Sequence, residues 1–217
     1  MIDLHTHTLF SDGVLVPSEL IRRAVVKGVG VIALSDHADM SNIDFILPRI
    51  VRACEANTAH RDIVALPAVE ITHVPPALIA GLTVQARELG AKLVVMHGES
   101  PVEPVEPGTN RAAIEAGVDI LAHPGWLTEE DAVLAADSGV FLEITARRGH
   151  NQTNAHVAAL AEKVGAKLAL NTDAHAPGDL IDEDEAREIA LAAGLSIERY
   201  ALIQKDMLRL AGLGEDR

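Results

Sequence analysis

The chain predicts an α/β fold built as one closed, seven-stranded (β/α)7 TIM-like barrel. Three observations point to it. Short apolar runs alternate seven times with helical segments, with no break in composition along the 217 residues. Such alternation implies parallel strands joined by right-handed crossovers. The runs are uninterruptedly apolar, as strands buried on both faces are. Each run also ends in a side chain able to bind metal, at the edge where barrels of this type keep their ligands. An open doubly wound sheet is the alternative the alternation allows.

The elements follow in order. Residues 2–5 (IDLH) read as a short first strand, and Pro17 with Glu19 opens a helix that ends at Gly28. Residues 31–36 (VIALSD) form the second strand, followed by a helix from about Asn42 to Asn57 with Ile43, Ile46, Ile50 and Cys54 at helical spacing. Residues 63–71 (IVALPAVEI) give a third strand, bent or interrupted at Pro67. A Pro-Pro pair then starts a helix that runs to Gly90. Residues 92–96 (KLVVM) lead to His97 and into the loop GESPVEPVEPGT, which is expected over the barrel mouth or along its rim. A short helix, Asn110 to Ala116, precedes the fifth strand at 118–122 (VDILA). Thr128 and the acids after it cap a helix before the sixth strand at 140–145 (VFLEIT). Asn154 to Val164 is helical, residues 167–171 (KLALN) are the seventh strand, and helices Asp182–Ala193 and Ile197–Leu210 follow.

The composition narrows the function. Apolar residues make up 48 % of the chain but aromatics only 2 %, so the core must come from Val, Leu, Ile and Ala. Scarce aromatics argue against base-stacking on single strands. The formal charge of −14 leaves no basic face for duplex nucleic acid. Cys54 is the one cysteine, which excludes an internal disulfide and a thiolate zinc cluster and suits core packing on a helix. No signal peptide and no membrane-spanning run is read, and a cytoplasmic location is expected. One domain over residues 1–217 is expected, and nothing in the chain sets its oligomeric state.

The strand ends carry the chemistry. His5 and His7 are one residue apart, so an extended chain points both to the same side. Asp12 follows in a turn closed by Gly13. The second strand ends in Asp36-His37, the third in Glu70, the fourth in His97, the fifth in His123, the sixth in Glu143, and the seventh in Asp173 and His175. Their joint placement at one rim exceeds what a single ion needs and fits two or three. Nitrogen and oxygen donors without thiolate suit Zn²⁺, Mn²⁺ or Fe²⁺ better than Mg²⁺ or Ca²⁺.

The segments HTHTLFSDG, LSDH, AVEIT, VMHGES, LAHPG and NTDAH resemble, in order, the motifs of the PHP (polymerase and histidinol phosphatase) superfamily. The resemblance runs from His5 to His175. It implies a distorted seven-stranded barrel with a trinuclear site of Zn, Mn or Fe. By that resemblance His5, His7, Glu70 and Asp173 hold a first metal. Glu70, His97 and His123 hold a second, and Asp12, His37 and His175 a third. The competing amidohydrolase barrel also opens with HxH but typically bridges its metals with a strand-borne lysine. Here Glu70 resembles the bridge, and Lys92, Lys163 and Lys167 lie at strand starts or in a helix.

The expected activity is metal-dependent hydrolysis of phosphate esters, with a hydroxide made available at neutral pH and phosphate oxygens clamped by the metals. A small phosphorylated substrate, as for a histidinol-phosphatase-like phosphomonoesterase, is the first reading. A phosphodiesterase or exonuclease on short oligonucleotides, or a non-catalytic metal-binding domain, is the alternative. Arg147 and Arg148 follow the sixth strand where family phosphatases often place a phosphate-binding arginine. His150 and His73 follow strand ends and are candidates to protonate the leaving oxygen. Asp36 is expected to orient a ligand histidine, and Glu143 to support the site from behind. Trp126 is expected either to wall the pocket or to pack, and His60 and His156 are given no role.

Overall fold

Seven parallel strands form a nearly closed barrel in a computed structural model that describes residues 1–214. The strands are β1 (Ile2–Asp3), β2 (Val31–Leu34), β4 (Val64–Ile71), β5 (Leu93–His97), β6 (Ile120–Ala122), β7 (Phe141–Thr145) and β8 (Leu168–Asn171), and they lie side by side in that order. An eighth, two-residue strand, β3 (His37–Ala38), pairs with the outer half of β4. It is the continuation of the second predicted strand past a break at Ser35-Asp36. The helices are α1 (Pro17–Val26), α2 (Ile43–Thr58), α3 (Pro76–Glu88), α4 (Thr109–Glu115), α5 (Glu129–Ser138), α6 (Asn154–Val164), α7 (Glu183–Ala192) and α8 (Ile197–Leu210). Among the described residues no helix is long and apolar enough to cross a membrane.

The strands are buried on both faces, as their apolar composition requires. Val, Leu, Ile and Ala dominate the core, with Leu4, Ile32, Leu34, Ile71 and Val95 sealed from solvent. Ile43, Ile46, Leu47, Ile50 and Cys54 form the inner stripe of α2, and Cys54 packs there with its thiol pushed up to about 12 by burial. The expected interruption at Pro67 does not occur. β4 is continuous; its ladder with β2 ends at Pro67 and its ladder with β5 begins at Ala68. The missing N–H therefore falls where the strand changes partners, and the Pro67 carbonyl still accepts from Lys92 N at 2.8 Å.

Closure between β8 and β1 uses side chains in place of a ladder. Leu4 N donates to Asn171 Oδ1 at 2.8 Å, and Asp3 accepts from Thr172 N at 3.1 Å and from the Thr172 hydroxyl. Backbone pairing resumes just beyond, with Asp173 N to His5 O at 3.0 Å and His7 N to Ala174 O at 2.9 Å. Outside the seam, Gln204 of α8 accepts from Ile2 N at 2.9 Å. The seam thus locks His5, His7, Asp173 and His175 in register at the mouth. Asp3 is buried, and burial lifts its carboxyl to about 6 against the pull of its hydrogen bonds. Asp3→Ala strips the partners from two buried Thr172 donors, so unfolding in urea should show a loss of about 2–3 kcal/mol.

Candidate metal centre

Glu70 stands at the centre of the mouth. It ends β4, is fully buried, and faces five imidazoles from four other strand ends. His37 Nδ1 lies 2.6 Å from its carboxylate, His97 Nδ1 3.3 Å, His5 Nε2 3.4 Å, and His7 Nε2 and His123 Nε2 3.6 Å. The second carboxylate is Asp173, beyond β8. It faces His7 Nε2 at 3.2 Å, His175 Nδ1 at 3.4 Å, His5 Nε2 at 3.7 Å and His123 Nε2 at 3.8 Å. The third is Asp12, with His175 Nε2 at 3.1 Å and His37 Nε2 at 3.5 Å. All nine residues expected from the sequence as ligands are therefore brought together.

Their grouping differs in part from the expected one. Asp12, His37 and His175 come together as expected, joined by His7. The expected quartet of His5, His7, Glu70 and Asp173 appears as two overlapping trios, His5–His7–Glu70 and His5–His123–Asp173. With Glu70 and His97, the tightest partner is His37 rather than His123. The reason is geometric: Glu70 lies on the strand that pairs directly with β3, so the Glu70 and His37 backbones are register partners.

These residues fit divalent cations. His5 Nε2, both ring nitrogens of His7 and His97, His123 Nδ1, both Glu70 oxygens and Asp173 Oδ1 are buried without a hydrogen bond of proper geometry. Buried polar atoms are otherwise almost always satisfied. Donor atoms that face one another at 3.2–3.8 Å without hydrogen-bonding are arranged as ligands about shared points. The set is nitrogen and oxygen only. Among the described residues the mouth offers no lysine of the bridging kind, since Lys92 precedes β5, Lys167 precedes β8 and Lys163 ends α6, all three exposed.

The electrostatics show what the chain does with this cluster on its own. Burial opposes the charged form of Glu70, but His5, His37 and His97 outweigh it and hold the carboxyl well below its usual range. Burial likewise opposes charge on His5, and Glu143, Glu70 and Asp173 overcome it, raising the imidazole well above its usual value. His7 goes the other way, to about 3, because desolvation there is not offset. The metal-free cluster therefore holds protons on some histidines, and cation binding must displace them.

Carboxylates behind the cluster aim its histidines. Glu143 supports the site as expected: its Oε1 lies 2.8 Å from His5 Nδ1, and its Oε2 accepts from His123 N at 2.9 Å. Asn171 Nδ2 donates to the same Oε1 at 2.8 Å. The expected role of Asp36 is corrected. It touches no histidine and instead accepts from Thr8 N and Oγ1 and from Ser11 N and Oγ, at 2.8–3.1 Å. It pins the loop that carries Asp12. Asp3 and Glu103 were not singled out in the sequence. Asp3 gives no signal apart from its place two residues before His5, and Glu103 lies in a loop that reads only as rim. Glu103 Oε2 lies 2.9 Å from His97 Nε2 and 3.1 Å from His73 Nε2, and its Oε1 3.4 Å from His150 Nε2.

Of the other candidates, His150 is buried with its ring 4.4 Å from that of His123, and burial with the nearby His123 lowers it to about 4. His73 is on the rim. Trp126 is 69 % exposed beside His156, whose Nε2 donates to Leu127 O at 2.8 Å, so it neither walls the site nor packs into the core. A cleft of about 570 Å³ adjoins the cluster at His175, lined also by Arg147, Arg148, Asp179, Ile181 and Ile189. Arg147 Nη1 is committed to Asp173 O at 3.3 Å and Asp179 Oδ2 at 3.5 Å. Arg148 is exposed and has no hydrogen-bonding or ionic partner among the described residues.

Strand ends that gather buried histidines and carboxylates at the mouth of an α/β barrel define the class of metal-dependent barrel hydrolases. The comparisons narrow the class. The family model of the PHP domain matches residues 3–100. An uncharacterized protein of Methanocaldococcus jannaschii is 48 % identical over 196 residues, covering 89 % of this chain and 90 % of its own. A probable phosphatase of Shewanella sp. (strain ANA-3) is 30 % identical over 224 residues, covering 87 % of this chain and 81 % of its own. The chain belongs to the PHP domain family. A Xaa-Pro dipeptidase crystallised with methionine is similar in fold alone, with a TM-score of 0.65 at 13 % identity over 98 % of this chain and 75 % of that one.

A cation that binds this cluster in the folded chain alone must stabilise it. Adding Mn²⁺ or Zn²⁺ at about 100 times the dissociation constant should raise stability by about 2.7 kcal/mol, read as a higher melting temperature that EDTA reverses.

Proposed function

We propose that the protein is a small-molecule phosphomonoesterase, histidinol-phosphatase-like in chemistry, working with two or three bound divalent cations of the Zn, Mn or Fe type. The observation that carries the reading is the juxtaposition of the nine-residue cluster with an arginine-lined cleft at His175. The 30 % identity to a probable phosphatase over most of the chain supports it. Bound cations supply Lewis-acid activation of water and neutralise phosphoryl oxygens.

The chain's own side chains do the rest. His5, His7, Glu70 and Asp173 would hold one cation, His97 and His123 would serve a second beside Glu70, and Asp12, His37 and His175 would hold any third. Glu143 keeps His5 turned inward. Arg147 fixes the loop after β8 through Asp173 O and Asp179. Arg148, without a protein partner among the described residues, binds the substrate phosphate by paired N–H donors. His150, lowered to about 4 and so neutral at pH 7 in the metal-free chain, lies beside His123 and has no proton to give a leaving group in that state. The cleft beyond His175 has room for a small leaving group. The net charge of −14 disfavours a long polyanion, so oligonucleotide hydrolysis is the weaker reading.

A phosphate-release assay with Mn²⁺ or Zn²⁺ tests this reading. Monoesters should turn over faster than diesters, and a preference for diesters would replace phosphomonoesterase with phosphodiesterase. Arg148→Ala should raise KM about tenfold with kcat nearly unchanged, the signature of a group that binds ground and transition states alike. Glu70→Gln should lower the metals bound per chain, measured by elemental analysis, by more than one ion if Glu70 bridges two sites.

A further inference from the structure

Two of the inward-facing histidines each turn their outer nitrogen to a glutamate, and the two glutamates come from different kinds of structure. His5 is held at Nδ1 by Glu143 of β7, which leaves Nε2 facing Glu70. His97 is the mirror case. Its Nδ1 faces Glu70 Oε1 at 3.3 Å and its Nε2 faces Glu103 Oε2 at 2.9 Å. A neutral imidazole has one lone pair and one N–H. If the lone pair serves the buried cluster through Nδ1, the N–H lies on Nε2, the nitrogen that faces Glu103 Oε2 at 2.9 Å.

Glu143 is a buried strand residue, whereas Glu103 belongs to the 98–108 segment that crosses the mouth and is 36 % exposed. The Glu103 carboxylate also meets His73 Nε2 at 3.1 Å and His150 Nε2 at 3.4 Å. The three imidazoles come from beyond β4, from the end of β5 and from beyond β7. His73 is held at φ +52°, a conformation that non-glycine residues rarely adopt, to reach it. The rim is shaped to receive the segment as well: a Cβ on Gly125 would collide with the Glu99 carbonyl.

We propose that Glu103 is a positioning residue that sets the tautomer of His97 from the rim segment, and thereby ties closure of residues 98–108 to cation binding. The proposal rests on the reading of His97 as a metal ligand. A separate cation held by His73, His97 and Glu103 would demand the lone pair on His97 Nε2, which is the nitrogen turned away from Glu70.

Titration of the metal-free full chain with Mn²⁺, by calorimetry, tests the proposal in the wild type, Glu103→Ala and Glu103→Gln. Protease cleavage within 98–108 is followed with and without Mn²⁺. Glu103→Ala should weaken Mn²⁺ binding about 10- to 100-fold and leave the segment equally cleavable in both conditions. Glu103→Gln keeps an oxygen that accepts the same N–H and should stay within about fivefold of wild type, with Mn²⁺ still protecting the segment. Binding by Glu103→Ala equal to wild type overturns the proposal, as does a wild-type segment that Mn²⁺ does not protect. Glu103→Gln as weak as Glu103→Ala also overturns it and makes the carboxylate a ligand itself. Should Glu103→Ala fail to fold, Glu103→Gln decides alone. A wild type that binds no Mn²⁺, Zn²⁺ or Fe²⁺ removes the metal reading and the proposal together, whereas normal wild-type binding with an unaltered Glu103→Ala removes the proposal only.

Discussion

Glu70 carries a carboxylate at a point sealed from water, and five imidazoles face it. A buried charge of this kind costs several kcal/mol unless it is matched. In the metal-free chain the match is made by protonated histidines, and in the loaded chain by cations. Much of the mouth follows from that constraint. Histidines must arrive from separate strands, because no single strand places more than two side chains on one side near its end. The strands must in turn be held in register, which a closed parallel barrel does.

The seam between β8 and β1 is where register matters most, since it brings His5 and His7 against Asp173 and His175. A ladder of only backbone bonds is not available there, because β1 has two residues. Asp3 and Asn171 replace the missing bonds with side-chain oxygens aimed at Thr172 and Leu4. Asn171 also donates to Glu143, which orients His5. Closing the barrel and aiming the first histidine are thus one hydrogen-bonded network, and a change in either is felt in the other. The backbone shares in this: Asp173 and His123 both take positive φ, at +54° and +28°, in the loops that turn their side chains inward.

Much of this was legible in the chain. The alternation of apolar runs and amphipathic stretches gives the barrel, because burial on both strand faces leaves few other architectures. All nine ligand-type residues were legible in the sequence, eight of them from their position at or just beyond strand ends, where the barrel's geometry makes them converge, and Asp12 from the turn that follows His7. The support around them was not. Asp36 follows a strand and Glu143 lies within one, yet Glu143 aims a histidine while Asp36 pins the Thr8–Ser11 turn. What decides the two roles is the neighbour each carboxylate meets across the barrel.

The sequence by itself determined the fold, the inventory of ligand-type side chains and the edge on which they gather, because period, burial and strand polarity are local properties that sum along the chain. Tertiary structure alone decided how the ligand-type residues group, that Pro67 sits at a change of partners, that Arg147 is spent on Asp179 while Arg148 has no partner among the described residues, and that Glu103 reaches back to three histidines. Each of these depends on which side chains from distant segments come within hydrogen-bonding reach. That distance is set by the closure of the barrel and by the path of its loops.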